Sequence, residues 1–62
     1  MKTSLFRAEQ EAKILSEKFP EITYYVLVKN GNACCHSMEW AVKEKLLNNY
    51  RIDCKYKNGK II

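Results

Sequence analysis

Three consecutive residues with chemically useful side chains, Cys34-Cys35-His36, lie in the middle of the chain, and Cys54 follows them. A thiol beside an imidazole is the pairing that cysteine nucleophiles use, and both residue types are preferred zinc ligands. A structural zinc site takes four such ligands, which is the number these residues supply. Either chemistry requires the side chains to meet, so it depends on the elements that carry them.

Two Asn-Gly dipeptides largely determine the strands that carry these side chains. Asn30-Gly31 and Asn58-Gly59 each follow an alternating apolar run. Asn-Gly is the strongest short hairpin signal because both central residues of a type I′ turn need positive φ. The sequence therefore predicts two hairpins with two-residue loops, the first pairing Tyr25 with His36 and the second pairing Tyr56 with Ile61.

The register of the first hairpin separates the chemical residues, because neighbouring strand residues point to opposite faces. Cys34 and His36 fall on one face, called the outer face here, whereas Cys35 and Cys54 are expected on the inner face as small core residues. The chain contains no Cys-x-x-Cys pair. We therefore expect no metal site and no cofactor. A flat sheet without a recognisable oxyanion hole also predicts a protein that is not an enzyme.

Two helices complete the predicted elements. An apolar stripe at spacings of four and three predicts a helix from about Ser4 to Lys18, with Thr3 or Ser4 as N-cap and Pro20 closing it. A second helix is expected from about Met38 to Asn48, with Ser37 as N-cap. Its apolar residues form two opposed arcs: Met38, Ala41, Val42 and Leu46 on one side, and Trp40 and Leu47 on the other.

The third strand completes the predicted sheet. Tyr50, Ile52, Cys54 and Tyr56 would share the inner face, and Arg51, Asp53 and Lys55 the outer face. The element order is α-β-β-α-β-β. We predict an α+β fold in which both helices lie on one face of a three- or four-stranded antiparallel sheet. Residues 1–62 are too few for more than one domain.

Composition narrows the class of protein. The formal net charge is +4, and three cysteines are an odd number for a disulfide framework. No apolar run approaches the roughly 20 residues of a membrane span, and the first residues do not resemble a secretion signal. The sequence therefore predicts a cytoplasmic protein with reduced thiols and no membrane partner.

The second helix carries the leading candidate for a binding surface. Trp40 and Leu47 project from the arc opposite its core-facing residues, beside Lys43. Tryptophan is enriched at interface hot spots, although a second layer of core under the first helix is an equally good explanation of this arc. Together with Tyr25 and His36 on the outer sheet face, these residues predict a small protein-interaction module. Its expected partner is a larger host protein or complex that it inhibits or modulates.

A nucleic-acid-binding module is the alternative. The outer sheet face would display one aromatic residue among basic ones, a combination that can stack bases and neutralise phosphates. The residues are Tyr25, Lys29, Arg51, Lys55 and Lys57. No segment has the RNP pattern of an RRM.

Small size and an apolar surplus on the second helix also lead us to expect a homodimer. In size, and in being rich in Lys, Asn and Tyr without a motif, the chain resembles the orphan small proteins of bacteriophages. Many of those proteins bind a host protein and redirect or inhibit it. The resemblance covers the whole chain in composition only, and it implies a non-enzymatic binder.

Overall fold

A four-stranded antiparallel sheet with strand order β2-β1-β3-β4 organises the computed structural model, which describes residues 4–62. Along the chain the elements are α1 (Leu5–Lys18), β1 (Tyr24–Lys29), β2 (Asn32–Ser37), α2 (Met38–Lys43), a 3-10 turn (Leu46–Asn48), β3 (Arg51–Lys57) and β4 (Lys60–Ile61). The predicted α+β class, the antiparallel sheet and the order of the elements are confirmed.

Strand β1 is the centre of the fold because it is paired on both sides and covered on both faces. Residues Tyr24 to Leu27 are all buried, and Val26 and Leu27 have no exposed surface. Tyr24 and Val26 pack with Ala8 and Ala12 of α1, on the inner face. On the outer face, Tyr25 and Leu27 pack with Ala41 of α2. A continuous buried run is the pattern of a strand with two covered faces.

The prediction that both helices lie on one face needs correction, because α1 and α2 cover opposite faces. Strands β2 and β3 are both antiparallel to β1 and lie on either side of it. They are therefore parallel to each other, and parallel strands need a crossover connection over one face of the sheet. Since α1 already occupies the inner face, α2 and the 3-10 turn cross the outer face.

Both predicted hairpin turns are present. The central residues have positive φ in each, with Asn30 at 49°, Gly31 at 80°, Asn58 at 54° and Gly59 at 78°. Tyr25 pairs with His36 and Tyr56 with Ile61, as the register predicts. The amide of Ile62 donates a hydrogen bond to the carbonyl oxygen of Lys55 at 3.0 Å, which extends the second hairpin by one residue.

Helix α1 packs closely on the sheet because the residues it buries are small. They are Ala8, Ala12 and Ser16, spaced one turn apart. Ser4 is its N-cap and accepts a hydrogen bond from the amide of Arg7 at 3.2 Å, while the alternative cap, Thr3, lies outside the described residues. The helix ends at Lys18, as predicted.

Ser16 joins α1 to the second hairpin turn. Its side chain is fully buried. The hydroxyl donates to the carbonyl oxygen of Lys13 at 2.9 Å and accepts from the amide of Gly59 at 2.9 Å. A buried hydroxyl with two partners is satisfied, and the Gly59 amide gains the acceptor that it needs near the core.

Helix α2 is shorter than predicted and ends at Lys43 instead of Asn48. Its N-cap is Ser37, which accepts from the amide of Trp40 at 3.1 Å as expected. Lys45 adopts a left-handed conformation with φ 56°, which breaks the helix before the 3-10 turn. This break brings Leu46 to the outer-face core, whereas Val42, its neighbour in an unbroken helix, stays exposed.

A bulge in β3 reverses part of the predicted face assignment. Val26 pairs with Cys54, but the next residue of β1, Leu27, pairs with Ile52, so Asp53 is the extra residue. Cys54 packs toward α1 as predicted, but Ile52 joins the outer-face core. Arg51 pairs with Val28, which places it on the inner side and corrects its predicted outer position.

Alanine substitutions at the two turn glycines separate backbone strain from packing. A Cβ on Gly31 would meet nothing within 4 Å, but one on Gly59 would contact Cγ of Glu17 and lie 3.0 Å from its Cδ. We expect Gly31→Ala to lower the free energy of unfolding by about 1 kcal/mol, the cost of a left-handed residue with a Cβ. Gly59→Ala should cost more than Gly31→Ala, because its Cβ also forces the Glu17 side chain to move; urea unfolding measures the difference.

The control is Glu17→Ala, which should remove the additional cost of Gly59→Ala and leave that of Gly31→Ala unchanged. If Gly31→Ala and Gly59→Ala lowered the free energy of unfolding equally in the chain that keeps Glu17, a packing role for Glu17 would be contradicted.

Replacing Ser16 by alanine should loosen the second turn. The substitution leaves the Gly59 amide without an acceptor, which typically costs about 1–3 kcal/mol. We expect faster hydrogen exchange at Gly59 than the loss of global stability explains. Ser4→Ala is the matched control, because it removes a hydroxyl acceptor at the exposed start of α1 and should leave exchange at Gly59 unchanged relative to global stability. If hydrogen exchange at Gly59 were unaltered in Ser16→Ala, the Ser16 hydroxyl would not protect the Gly59 amide.

Candidate interaction surface on the second helix

The cysteines lie where the hairpin register predicted. Cys35 and Cys54 are half-buried against the α1 side of the sheet, and Cys34 packs on the α2 side. His36 is half-buried at the register position that shares a face with Cys34. The four residues are thus divided between the two faces, as expected.

The thiols have raised pKa values. Burial, with a smaller contribution from Glu11, raises the pKa of Cys35 from 9.0 to about 12. Burial, followed by Asp53 and Glu9, raises the pKa of Cys54 to about 11. The pKa of Cys34 is also raised by burial. A thiol with a raised pKa is protonated at neutral pH, and the protonated form is a poor nucleophile and a poor metal ligand.

One acidic cluster lies beside Cys54. The side-chain ligand atoms of Glu9, Asp53 and Cys54 lie within 4.8 Å of one another. The Cys54 sulfur is 4.0 Å from Oε2 of Glu9, which matches a thiol donating weakly to a carboxylate. Asp53 is exposed, and the two carboxylates contribute, after burial, to the raised pKa of Cys54.

The largest apolar side chains of the crossover point away from the core. Helix α2 buries Ala41 alone, and Leu46 of the 3-10 turn is half-buried. The exposed fractions are 43% for Met38, 47% for Trp40, 59% for Val42 and 39% for Leu47. With Lys43, these four residues form what we call the α2 surface.

Two open grooves flank helix α2. The first has a volume of about 610 Å³ and is lined by Tyr25, Met38, Glu39, Val42 and Lys43. The second has a volume of about 430 Å³ and lies at the β2 end of the helix, lined by Ile22, Tyr24, Cys35, His36, Ser37 and Trp40. Trp40 therefore forms a wall of the second groove.

The structure brings the predicted protein-binding residues together in pairs. Lys43 lies beside Tyr25 in the first groove, and Trp40 lies beside His36 in the second. Leu47 is exposed on the 3-10 turn. Tyr25 differs from expectation because it is only 8% exposed, so its ring forms a groove floor. The alternative in which Trp40 belongs to a second core layer does not agree with its exposure.

The predicted nucleic-acid-binding residues do not form one platform. The Nζ atom of Lys55 lies 5.7 Å from the ring centroid of buried Tyr25, and Nζ of Lys29 lies 5.6 Å from that of Tyr50. Lys57 pairs with Lys60 between β3 and β4, while Arg51 is on the inner side. The aromatic rings are thus engaged by lysines of the same chain.

Sequence reasoning missed Met38 and Val42 as surface residues. Their arc includes Ala41 and Leu46, and it was assigned to the core as a unit. In the structure only the smallest member of that arc, Ala41, is fully buried. The two opposed arcs indicated that one arc must be exposed. They did not indicate that large residues of both arcs would be exposed.

Comparison of the chain with protein-family models, curated proteins and solved structures gives no match. In the part of the chain from residue 4 to residue 62, none of the helices has the length and apolar character required to span a lipid bilayer.

The thiol pKa values predict how stability changes in alkali. The unfolded thiols ionise near their ordinary pKa of 9.0, but folded Cys35 ionises only near 12 and folded Cys54 near 11. Above pH 9 the unfolded state therefore binds fewer protons, and the free energy of unfolding should fall as pH rises towards 12. Urea unfolding at a series of alkaline pH values checks this.

The control is a Cys35→Ala, Cys54→Ala double variant, in which the part of the alkaline loss due to these thiols should disappear. An identical pH profile in the variant and the natural chain would contradict the assignment.

Proposed function

We propose that the chain is a small non-enzymatic protein-interaction module that binds a larger macromolecule through the α2 surface and inhibits or modulates it. The observation that carries the proposal is the outward direction of the apolar residues in α2 and the 3-10 turn. The crossover segment buries only Ala41 and part of Leu46, and it leaves large apolar side chains exposed on both sides of α2. Met38 and Val42 line one groove, Trp40 lines the other, and Leu47 lies exposed on the 3-10 turn. A group of exposed apolar side chains on one segment favours a contact site.

The types of residue on this surface favour a protein partner. Trp40 is a large and rigid side chain with half of its surface still exposed. Burying apolar area contributes about 25 cal/mol per Å², so a tryptophan in a partner pocket can dominate an interface. Met38 is flexible and can adapt to an irregular partner surface.

Charge indicates the kind of partner surface. Around α2 the charges are balanced, because Glu39 and Glu44 accompany Lys43 and Lys45, whereas the chain as a whole carries a net charge of +4. The net charge of the whole chain would make association with an acidic partner faster at low salt.

Three free thiols with raised pKa values support the remaining parts of the proposal. Protonated thiols argue for packing rather than catalysis, and free thiols fit a reducing compartment such as the cytoplasm. The nucleic-acid alternative is not favoured by an observation of its own, since the ring of Tyr25 is buried.

The test compares two exposed aromatic residues. Trp40 belongs to the α2 surface, whereas Phe6 is 70% exposed on α1 and lies outside it. Immobilised chain is used to capture proteins from the lysate of its native host, with and without nuclease. We expect one dominant protein that survives nuclease, at least tenfold weaker capture by Trp40→Ala, and unchanged capture by Phe6→Ala.

Folding of each variant is checked by circular dichroism and thermal unfolding. Capture that disappears with nuclease would support the nucleic-acid alternative. Equal loss in the two aromatic variants, or none in Trp40→Ala, would contradict a role for the α2 surface.

A further inference from the structure

The two edge strands of the sheet, β2 and β4, differ in length and in charge. Within residues 4–62, β2 has a single strand neighbour, β1, so its other side is an open edge. Its six residues, Asn-Ala-Cys-Cys-His-Ser, include no Lys, Arg, Asp, Glu or Pro. Natural proteins usually protect an open edge with charges, proline or a bulge.

The opposite edge has that protection. Strand β4 is only two residues long, and its Lys60 pairs with Lys57 of β3. The rest of β3 carries Arg51, Asp53 and Lys55, with a bulge at Asp53. A long neutral edge on one side and a short, charged and bulged edge on the other indicate that only β2 is suited to accept another strand.

The first hairpin determines which backbone groups of β2 are free. In a hairpin with a two-residue loop, the residues flanking the turn exchange both backbone hydrogen bonds, and such pairs then alternate. Lys29–Asn32, Leu27–Cys34 and Tyr25–His36 are accordingly the hydrogen-bonded pairs. The amide of Met38 donates to the carbonyl oxygen of Thr23 at 2.8 Å, which continues the alternation. The amides that point away from β1 are those of Ala33, Cys35 and Ser37.

We infer that β2 pairs with β2 of a second copy of this chain in an antiparallel arrangement, which joins two sheets into one. A two-fold axis perpendicular to the sheet keeps both α1 helices on the same face. Residues opposite each other must then share a face, so the axis passes through a residue pair. The central registers place Cys34 opposite Cys34 or Cys35 opposite Cys35.

Each of these registers satisfies free backbone groups. With Cys34 at the axis, Ala33 of each copy faces Cys35 of the other, and all four residues have outward amides. With Cys35 at the axis, its two amides pair with each other's carbonyl groups, and Ala33 faces Ser37. In either arrangement the outward N–H and C=O groups of β2 bond to the second copy, whereas in an isolated chain they bond to water.

A second copy suits the β2 edge because antiparallel pairing about a two-fold axis is self-complementary, and because this edge carries no charge that would oppose its own copy. Two chains of net charge +4 repel each other at long range, and the neutral β2 edge is where they can meet without placing like charges opposite each other. The contact should therefore strengthen as salt screens the remaining charge. Trp40 lies beside His36 and Ser37 of β2 in one groove, but this inference rests on the β2 backbone and the proposed function on the side chains of α2, so the two can be tested separately.

Sedimentation equilibrium of the purified full chain tests whether the chain dimerises. We expect a species of twice the 7.3 kDa chain mass at micromolar concentrations, with a dissociation constant that falls as sodium chloride is added. A single 7.3 kDa species up to hundreds of micromolar, in low and high salt, would overturn the inference.

Oxidation with copper phenanthroline tests the register. Opposite residues of an antiparallel pair have Cα atoms about 4.5–5.5 Å apart, which is within the range that a disulfide spans. We expect a covalent dimer that persists in Cys54→Ser and disappears in either Cys34→Ser or Cys35→Ser, according to the register. Crosslinking lost only in Cys54→Ser would contradict pairing through β2.

A synthetic chain with an N-methyl group on Ala33 tests the edge without altering a side chain. This amide points away from β1, so the hairpin keeps its hydrogen bonds while a strand on the open edge is blocked. We expect dimerisation to weaken at least tenfold, with the far-ultraviolet circular dichroism of the monomer preserved. An unchanged dissociation constant would refute the role of the edge.

Discussion

The fold depends on the burial of β1 on both faces and its pairing on both sides. Val26 and Leu27 are adjacent in the chain and fully buried, so each needs a separate apolar layer. Helix α1 supplies one layer through Ala8 and Ala12. The other layer must come from the connection between β2 and β3, because these strands flank β1 and the chain has to cross over it. The location of α2 follows from this constraint more than from its own sequence.

The same constraint explains why two of the cysteines pack against the core. Cys35 and Cys54 both pair with Val26, one from each neighbouring strand, and both lie under α1. A helix that approaches through alanines and a serine leaves little room beneath it, and cysteine is a small apolar filler. Burial then raises the thiol pKa values, as expected for packed residues rather than activated ones.

The features that the sequence predicted correctly are those set by local chemistry. Asn-Gly specifies the turns and thereby the register, and Ser37 caps a helix because its hydroxyl accepts from the Trp40 amide. The bulge at Asp53 and the break at Lys45 escaped prediction because no glycine marks either position in the sequence. For the site, the opposed arcs left burial and exposure of Trp40 equally open, and the structure exposes it. Burial of Tyr25 was not predictable, because it depends on which face α2 covers.

The α2 surface and the β2 edge meet at one groove, where Trp40 lies beside Cys35, His36 and Ser37. The open edge runs along β2, whereas Val42 and Lys43 project from a helix lying across the outer face. An axis perpendicular to the joined sheet would place both α2 surfaces on the same side. A partner with two matching sites, or two neighbouring partners, would then be held by both copies at once. Such bivalent binding can exceed the affinity of one copy by about 10²–10⁴ when the spacing allows it. For a chain that presents only four large apolar residues on α2 and the 3-10 turn, pairing through β2 is an efficient way to bind more tightly.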